Sequence, residues 1–248
     1  MTELVHYAVA DAVATITLDS PHNRNALSRQ LVTELFEHLQ AAAADDTVRV
    51  VLIASSGKVF CSGADLSEAT ADGMEEGARR IVELQRLIVS LDKPVVVRAY
   101  GAVRAGGIGI VAAADITVAN ESATFALTEV KLGLAAAIIS LTVHHRMNPR
   151  AAALTTLGGE VFSGADAAAY GLVTLAVPDE EIDERVAAVC RSLATGAPQG
   201  LRESKKILNA DLLARIDARG DELAALSARL FASDEAREAM TAFLSRKK

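Results

Sequence analysis

Hydrophobic and polar positions alternate at the start of the chain and recur at helical spacing soon afterwards. Residues 5–18 alternate around a short turn, as VHYAV, AD and AVATITL, which predicts a two-stranded hairpin. Leu31, Leu35 and Leu39 then recur every four residues after Ser28, which predicts an amphipathic helix with Ser28 as its N-cap. The run VRVVLIASS is rich in β-branched residues and predicts a buried strand.

The same succession of strand and helix continues through the middle of the chain. A helix is predicted by an apolar stripe that consists of Ile81, Leu84, Leu87, Ile88 and Leu91. Pro94 opens the strand PVVVRAYG, and a short helix through IGIVAAAD leads to the strand ITVAN. A further helix, and a last strand LVTLAV that Pro178 ends, are predicted between residues 150 and 180.

The remainder of the chain, from Glu180 onward, has a helical pattern. Its predicted apolar stripe consists of Leu201, Ile207, Leu208 and Leu212. The whole pattern therefore predicts an α/β fold made of repeated strand–strand–helix units, followed by a helical tail.

Composition and charge restrict the class of protein. A length of 248 residues with 51% hydrophobic residues suits one good-sized domain. The net charge of −7 argues against nucleic acid or an anionic membrane as the main partner, since both require a surplus of Lys and Arg. Cys61 and Cys190 are too few for a disulfide framework. The start of the chain has no signal-peptide pattern, and no apolar run reaches about 18 residues, so we expect a cytoplasmic protein.

The stretch GAVRAGGIGIVAAAD concentrates glycines where a strand gives way to a helix. Gly106, Gly107 and Gly109 let a ligand approach the backbone closely, and free N–H groups in such a loop can hold an anion. The glycine spacing fits a dinucleotide fingerprint, but the next strand begins right after Asp115. That leaves too little chain for the helix that a dinucleotide fold requires. The GK[ST] of a phosphate-binding loop is also absent, so nucleotide binding is disfavoured.

Several segments, in order along nearly the whole chain, resemble the crotonase family, also called the enoyl-CoA hydratase/isomerase superfamily. They are PHNRNALS, GKVFCSGADLSE, KPVVVRAYGAVRAGGIGIVAAADITVAN, FALTEVKLGL, EVFSGADAAAYGLVTLAVPDEEI and FASDEAREAMTAFLSRK. The resemblance implies a crotonase-like spiral of ββα units over residues 1–192 and a C-terminal helical oligomerisation region over residues 193–248. It also implies an acyl-CoA or enoyl-CoA thioester as ligand, no separate cofactor, no metal, and a homotrimer or a dimer of trimers.

The resemblance also implies which residues meet the thioester. Reaction at its α- or β-carbon passes through an enolate-like state, whose oxygen is stabilised by preorganised N–H donors. By similarity, those donors are the backbone N–H groups of Ala64 and Gly106, and Glu129 is the catalytic carboxylate. Asp65 is also expected to cap the helical turn that follows it. The substrate-binding positions implied in this way are Arg24, Ala64, Asp65, Leu66, Gly106, Gly107 and Gly109.

One family residue is missing from this chain. Hydration in the family generally uses two glutamates, and Glu129 matches the second, whereas the position of the first is Gly109. The family default is syn-hydration of a trans-2-enoyl-CoA. The alternatives are a single-glutamate double-bond isomerase and an acyl-CoA-binding protein with little turnover. A replacement acid is sought in the segment LSEATADGMEE, among Glu68, Asp72, Glu75 and Glu76.

A second departure follows Glu129, where LAAAIIS stands in place of a glycine-rich run. The bulkier residues there are open to two interpretations, ordinary helix packing or an altered acyl pocket; they are Ala136, Ala137, Ile138 and Ile139.

The remaining candidates concern CoA binding and reactive side chains. The phosphates of CoA require local cations, and Arg24 either binds them or is a surface charge. Arg246 and Lys247 could reach the nucleotide of a neighbouring subunit, but we expect them to be solvated. Cys61 is expected to be a small packing residue, and His144 and His145 are expected to lie on the surface.

Overall fold

The computed structural model describes residues 2–65, 68 and 71–245. Its strands are β1 (Val5–Ala10), β2 (Val13–Leu18), β3 (Val50–Ser55), β4 (Val59–Cys61), β5 (Val95–Ala99), β6 (Ala102–Arg104), β7 (Ile116–Asn120), β8 (Thr124–Ala126), β9 (Phe162–Ser163) and β10 (Leu175–Val177). The predicted hairpin and the predicted strands after it are therefore confirmed.

The helices also follow the predicted order. They are α1 (Arg29–Ala44), α2 (Ala71–Ser90), α3 (Gly106–Ala113), α4 (Ser140–Arg146), α5 (Pro149–Gly158), α6 (Gly164–Ala169), α7 (Ile182–Ala194), α8 (Pro198–Phe231) and α9 (Asp234–Ser245). Ser28 is the N-cap of α1, as predicted, and its hydroxyl oxygen accepts a hydrogen bond from the N–H of Leu31 at 3.3 Å.

Two sheets share the strands of the repeated units. One sheet has the order β1-β2-β3-β5-β7-β10 and the other the order β4-β6-β8-β9. Each unit thus contributes one strand to each sheet, as β3 and β4, β5 and β6, and β7 and β8. Neighbouring strands are parallel except in the pairs β1–β2 and β8–β9. The fold is therefore α/β with a crotonase-like spiral of ββα units.

The central strands of the larger sheet, β3, β5 and β7, are buried on both faces, as their continuous β-branched runs require. On one face Val50, Val96 and Val118 pack against Ile182 and Val186 of α7. The opposite face belongs to the main core, to which α1, α2 and α3 contribute. Every residue of α3 is buried, so this short helix is held on all sides.

The C-terminal helix α8 packs along α2 through an unexpected face. The predicted stripe is wrong at Ile207 and Leu208, which are 78% and 75% exposed, whereas Leu212 is buried as predicted. The buried positions of α8 begin instead with Lys205 and Asn209, followed by Leu212 and Ile216. Sequence pattern misses this face because its first two residues are polar. The division of the chain at residues 192 and 193 stays a prediction.

Lys205 and Asn209 fasten α8 to the ends of α2 and α3. The ammonium group of Lys205 lies 2.8 Å from Oδ2 of Asp115 and donates to the carbonyl oxygens of Ile88 and Lys93 at 2.9 and 3.0 Å. The amide of Asn209 donates to the other Asp115 oxygen at 2.8 Å. This buried charge pair is therefore surrounded by hydrogen-bonding groups, as a charge in a core must be. Throughout the described residues, every helix is too short or too polar to cross a bilayer.

Candidate active site

The segment between β2 and α1 holds the loop that follows β4. Within PHNRNALS, Arg24 and Asn25 both have positive φ, at 59° and 54°, which turns the chain back on itself. The carbonyl oxygen of Arg24 accepts the N–H of Ser62 at 3.1 Å, and that of Gly63 accepts the N–H of Leu27 at 2.8 Å. The buried amide of Asn25 donates to the carbonyl oxygen of Val59 at 2.9 Å. These bonds fix the backbone on both sides of Ser62.

Ala64 presents its backbone beside the second loop. Leu27 and Ala64 form a parallel β-bridge. Gly63 has φ +97°, and a Cβ added to it would lie 2.8 Å from Cβ of Ala105, so the two loops are in direct contact. Within the described part of the chain, the N–H groups of Ala64 and Gly106 donate to no other group. The sequence-predicted donors thus belong to neighbouring loops and are both available.

The start of α3 leaves no room for side chains. A Cβ on Gly106 would lie 2.6 Å from Cδ1 of Leu27, and a Cβ on Gly107 would lie 2.7 Å from Cβ of Cys61. Ala105, which precedes the helix, has φ +44° and ψ −117°, a conformation that glycine adopts far more easily than alanine. The first N–H groups of a helix have no partner within it and carry its positive end, so this turn favours a developing anion.

Glu129 lies in a 3₁₀ helix, Thr128–Leu132, directly after β8. Its Oε2 is buried and has no hydrogen-bond partner among the described residues. Burial raises the pKa of the Glu129 carboxyl, and a hydrogen bond from its own backbone N–H opposes this in part. Gly133 ends the turn with φ +68°. The carboxyl group of Glu129 therefore has an enhanced tendency to hold a proton.

Position 109, where the family's first acid is expected, is enclosed. A Cβ on Gly109 would lie 2.7 Å from Cγ2 of Ile139 and 3.3 Å from Cδ and Oε1 of Gln85. Ile139 is 2% exposed and Gln85 is fully buried. Ala136, Ala137 and Ile139 are buried in the main core, as ordinary packing requires, and Ile139 fills the direction that a side chain at position 109 would take. The altered acyl pocket stays a prediction.

Two of the candidate replacement acids, Glu68 and Glu75, have contacts with other described residues. Oε2 of Glu68 accepts the N–H of Arg29 at 2.8 Å, at the first turn of α1. Glu75 pairs with Arg79 at 2.6 Å, and Glu76 is exposed. The side chain of Asp72 lies outside the described residues. A replacement acid from this segment stays a prediction.

The structure also places the other residues that the sequence analysis named as candidates. Arg24 is exposed next to the first loop. Asp65 accepts a hydrogen bond from the side chain of Asn23 at 2.9 Å, and its carbonyl oxygen accepts the N–H of Glu68 at 3.2 Å.

Cys61 is buried, which raises the pKa of its thiol to about 12, so it is a packing residue as predicted. Leu66, Arg246 and Lys247 lie outside the described residues. His144 and His145 are exposed, as predicted.

Sequence reasoning assigned no role to Leu27 or Gln85. Leu27 lies within PHNRNALS but reads as an ordinary core leucine. Gln85 gives a clearer signal, because it is a polar residue within the apolar stripe of α2, four residues after Ile81 and three before Ile88. A polar side chain on a buried face needs partners, and here it has them on a neighbouring segment.

The fold consists of ββα units that form two sheets, and two loops that contain glycine meet at the start of the buried helix α3. These features define a crotonase-like α/β protein. The family model described as enoyl-CoA hydratase/isomerase matches residues 8–248. The chain therefore belongs to the enoyl-CoA hydratase/isomerase family.

Individual relatives agree with this assignment. The crystal structure of an enoyl-CoA hydratase from Mycobacterium avium is 46% identical, with a TM-score of 0.93 over 99% of this chain and 98% of that one. The 1,2-epoxyphenylacetyl-CoA isomerase of Escherichia coli K12 is 29% identical, over 100% of this chain and 97% of its own length. The mitochondrial enoyl-CoA hydratase domain-containing protein 3 of Danio rerio is 28% identical over 95% of this chain and 83% of its own length. Relatives that are named for different activities thus align over nearly the whole chain.

Proposed function

We propose that this protein is an enoyl-CoA isomerase, which moves a double bond in an acyl-CoA thioester by transferring one proton through Glu129. The observation that carries the proposal is that only one of the two positions matched to the family's glutamates, Glu129, has a carboxyl group. Glu129 has a buried, unpartnered Oε2 among the described residues and a raised pKa, while the position of the second family acid is Gly109. Hydration, the family default, requires a second group to orient and activate water.

The proposed reaction begins with a 3-enoyl-CoA. The carboxylate of Glu129 takes a proton from the α-carbon, and the electron pair moves into a dienolate with its negative charge on the thioester oxygen. The protonated Glu129 then returns a proton to the γ-carbon, the double bond comes to lie between the α- and β-carbons, and the carboxylate is regenerated. Atoms and charge balance without water. A raised pKa suits this role, because the same group must accept and return the proton.

The proposed oxyanion donors are the N–H groups of Ala64 and Gly106. Their availability within the described residues and the contact between Gly63 and Ala105 support this assignment. Each preorganised donor of this kind contributes about 10²–10³ in kcat. The buried first turn of α3 adds the positive end of a helix in surroundings with little water, where electrostatic stabilisation is stronger than in bulk water.

The test measures the absorbance of the conjugated enoyl thioester with crotonyl-CoA and a 3-enoyl-CoA as parallel substrates. We expect conjugation to appear from the 3-enoyl substrate and crotonyl-CoA to remain unchanged. Glu129→Gln should lower the isomerisation rate by about 10²–10⁴, the usual contribution of a general acid–base group. Rapid loss of conjugation from crotonyl-CoA would instead establish hydration. Binding of acyl-CoA without either change would establish a protein that binds and does not turn over.

The quaternary structure is proposed as a homotrimer or a dimer of trimers. Exposed apolar side chains on the C-terminal helix support an interface there, notably Ile207 and Leu208. Light scattering at micromolar concentration tests this proposal, and a monomer that is stable on dilution would contradict it. The cytoplasmic location stays a prediction.

A further inference from the structure

The side-chain direction of Gly109 is occupied by a residue from a distant part of the chain. Gly109 lies one turn after Gly106 in α3, and a Cβ on it would approach Cγ2 of Ile139 to 2.7 Å. Cβ atoms almost never come so close to another heavy atom. An acid at position 109 would therefore have to displace Ile139 before it could reach a ligand.

Ile139 has little freedom to move away. Its Cγ2 is bonded directly to Cβ, so it shifts only if χ1 or the backbone changes, and χ1 is stiff in β-branched residues. The backbone is held as well, because the carbonyl oxygen of Ile139 accepts the N–H of Val143 at 3.0 Å and the N–H of Ser140 donates to the carbonyl oxygen of Ala136 at 3.0 Å. These bonds place Ile139 at the N-terminus of α4.

Gln85 holds the same segment from the side of α2. Its amide nitrogen donates to the carbonyl oxygens of Ile138 and Ile81, each at 3.2 Å, and its Oε1 accepts the hydroxyl of Thr142 at 2.7 Å. Gln85 and Thr142 are both fully buried. Moving either would leave buried polar groups without partners, which is costly. Gln85 therefore holds the carbonyl group before Ile139 and the side chain of Thr142 after it.

We propose that Ile139, positioned by Gln85 and Thr142, is the specificity-determining residue that confines this site to one-carboxyl chemistry on enoyl-CoA thioesters. Ile139 occupies the space of the second acid with an apolar side chain, so that no carboxyl group at position 109 can orient a water molecule for addition to the β-carbon. The inference rests on the proposed function for its catalytic consequence. Its steric basis is independent of any activity.

The steric basis is tested by thermal unfolding of Gly109→Ala in three backgrounds. Ile139→Leu removes the methyl at the Cγ2 position and keeps the side-chain volume, whereas Ile139→Val keeps Cγ2 and is the matched control. Gly109→Ala should lower Tm by about 2–8 °C in the wild-type and Ile139→Val backgrounds, as overpacking does. Gly109→Ala should lower Tm far less in the Ile139→Leu background. An equal Tm loss in all three backgrounds would show that Ile139 does not close the position, and would overturn the inference.

The catalytic consequence is tested by introducing a glutamate at position 109, both with Ile139 in place and with Ile139 shortened to alanine. Gly109→Glu alone should give no more hydration of crotonyl-CoA than wild type. Gly109→Glu with Ile139→Ala should exceed both single variants by at least tenfold, about the lower end of what a general acid–base group contributes. Gly109→Gln with Ile139→Ala is the control, which fills the same space without an acid and should not hydrate.

The outcomes separate this inference from the proposed function. Hydration by Gly109→Glu alone at the level of the double variant would overturn the role of Ile139. A folded double variant without hydration would also overturn it, even if wild type isomerises 3-enoyl-CoA. If wild type does not isomerise but the double variant gains hydration, the proposed function fails and the role of Ile139 stands.

Discussion

Leu27 covers Gly106 and at the same time binds the loop of the other proposed oxyanion donor. Its Cδ1 lies 2.6 Å from the point that a Cβ on Gly106 would occupy, and its N–H donates to the carbonyl oxygen of Gly63 at 2.8 Å. One residue of the segment before α1 thus sets the spacing of two loops that are about 40 residues apart in the sequence. Donors aimed at an oxyanion must be held to within a fraction of an ångström, so this contact bears directly on catalysis.

The first prediction concerns this contact. Gly106→Ala should lower kcat for 3-enoyl-CoA by about 10²–10³, because the new methyl displaces Leu27 and moves the N–H of residue 106 from the oxyanion. Steady-state kinetics with purified protein measures the effect. Gly106→Ala should also lower the free energy of unfolding. Because the two residues are in contact, the loss in the double variant with Leu27→Ala should be smaller than the sum of the two single losses by about 0.5–3 kcal/mol. Strictly additive effects on stability would contradict the proposed contact.

The second prediction concerns the strained residue before α3. Ala105→Gly should stabilise the protein by about 1 kcal/mol, because φ +44° with ψ −117° is unfavourable for alanine and accessible to glycine. Urea unfolding gives the free energy directly. Ala41→Gly, at an exposed position of α1, is the matched control and should destabilise by about 0.5–1 kcal/mol. Destabilisation by both changes would show that residue 105 carries no strain.

The third prediction concerns the pH dependence of stability. Because burial raises the pKa of Glu129 above its unfolded value, the folded state binds more protons between the two pKa values, and stability falls as pH rises through that interval. Glu129→Gln cannot ionise, so it should be more stable than wild type at pH 7–8. The difference should disappear below the ordinary pKa of a glutamate. Unfolding measured from pH 4 to 8 tests this, and an advantage that does not change with pH would contradict it.

The fourth prediction concerns the buried charge pair under α8. Lys205→Ala should destabilise the protein by about 3–5 kcal/mol, because it removes the cation paired with the partly buried Asp115 and leaves the carbonyl oxygens of Ile88 and Lys93 without their donor. Lys206→Ala removes the neighbouring lysine, whose pairs with Asp92 and Glu203 are exposed, and should cost less than about 1 kcal/mol. Equal losses in chemical denaturation would mean that burial does not distinguish the two lysines.

The fifth prediction concerns binding of the CoA phosphates. We propose that Arg24 binds the CoA phosphates; Arg24→Gln should then raise KM for a 3-enoyl-CoA about three- to tenfold and leave kcat unchanged, because the phosphates belong to a part of the substrate that does not react. The matching pantetheine thioester lacks the nucleotide phosphates and should show no change in KM. Arg191→Gln, on the exposed surface of α7, should leave both values unchanged. A similar rise in KM for both thioesters would exclude a phosphate contact.

The order of strands and helices can be predicted from the sequence, because each element has its own local pattern of residues. The hairpin at residues 5–18, the cap at Ser28 and the strand opened by Pro94 all follow from neighbouring residues. The departure at Gly109 and the match at Glu129 are also visible in the sequence, since the motifs around them are continuous. The sequence therefore determined the family, the architecture and the number of carboxyl groups at the matched positions.

The environment of those residues was decided by tertiary structure. The raised pKa of Glu129 depends on what buries it, and the closure of position 109 depends on Ile139 and Gln85, which lie 30 and 24 residues away along the chain. The buried face of α8 was mispredicted for the same reason. Lys205 can be buried because it pairs with Asp115, and no local sequence pattern indicates that pair. Local spacing encodes which face of an element is apolar. Desolvation, steric closure and buried ion pairs arise only when distant segments pack together, so they are properties of the folded chain.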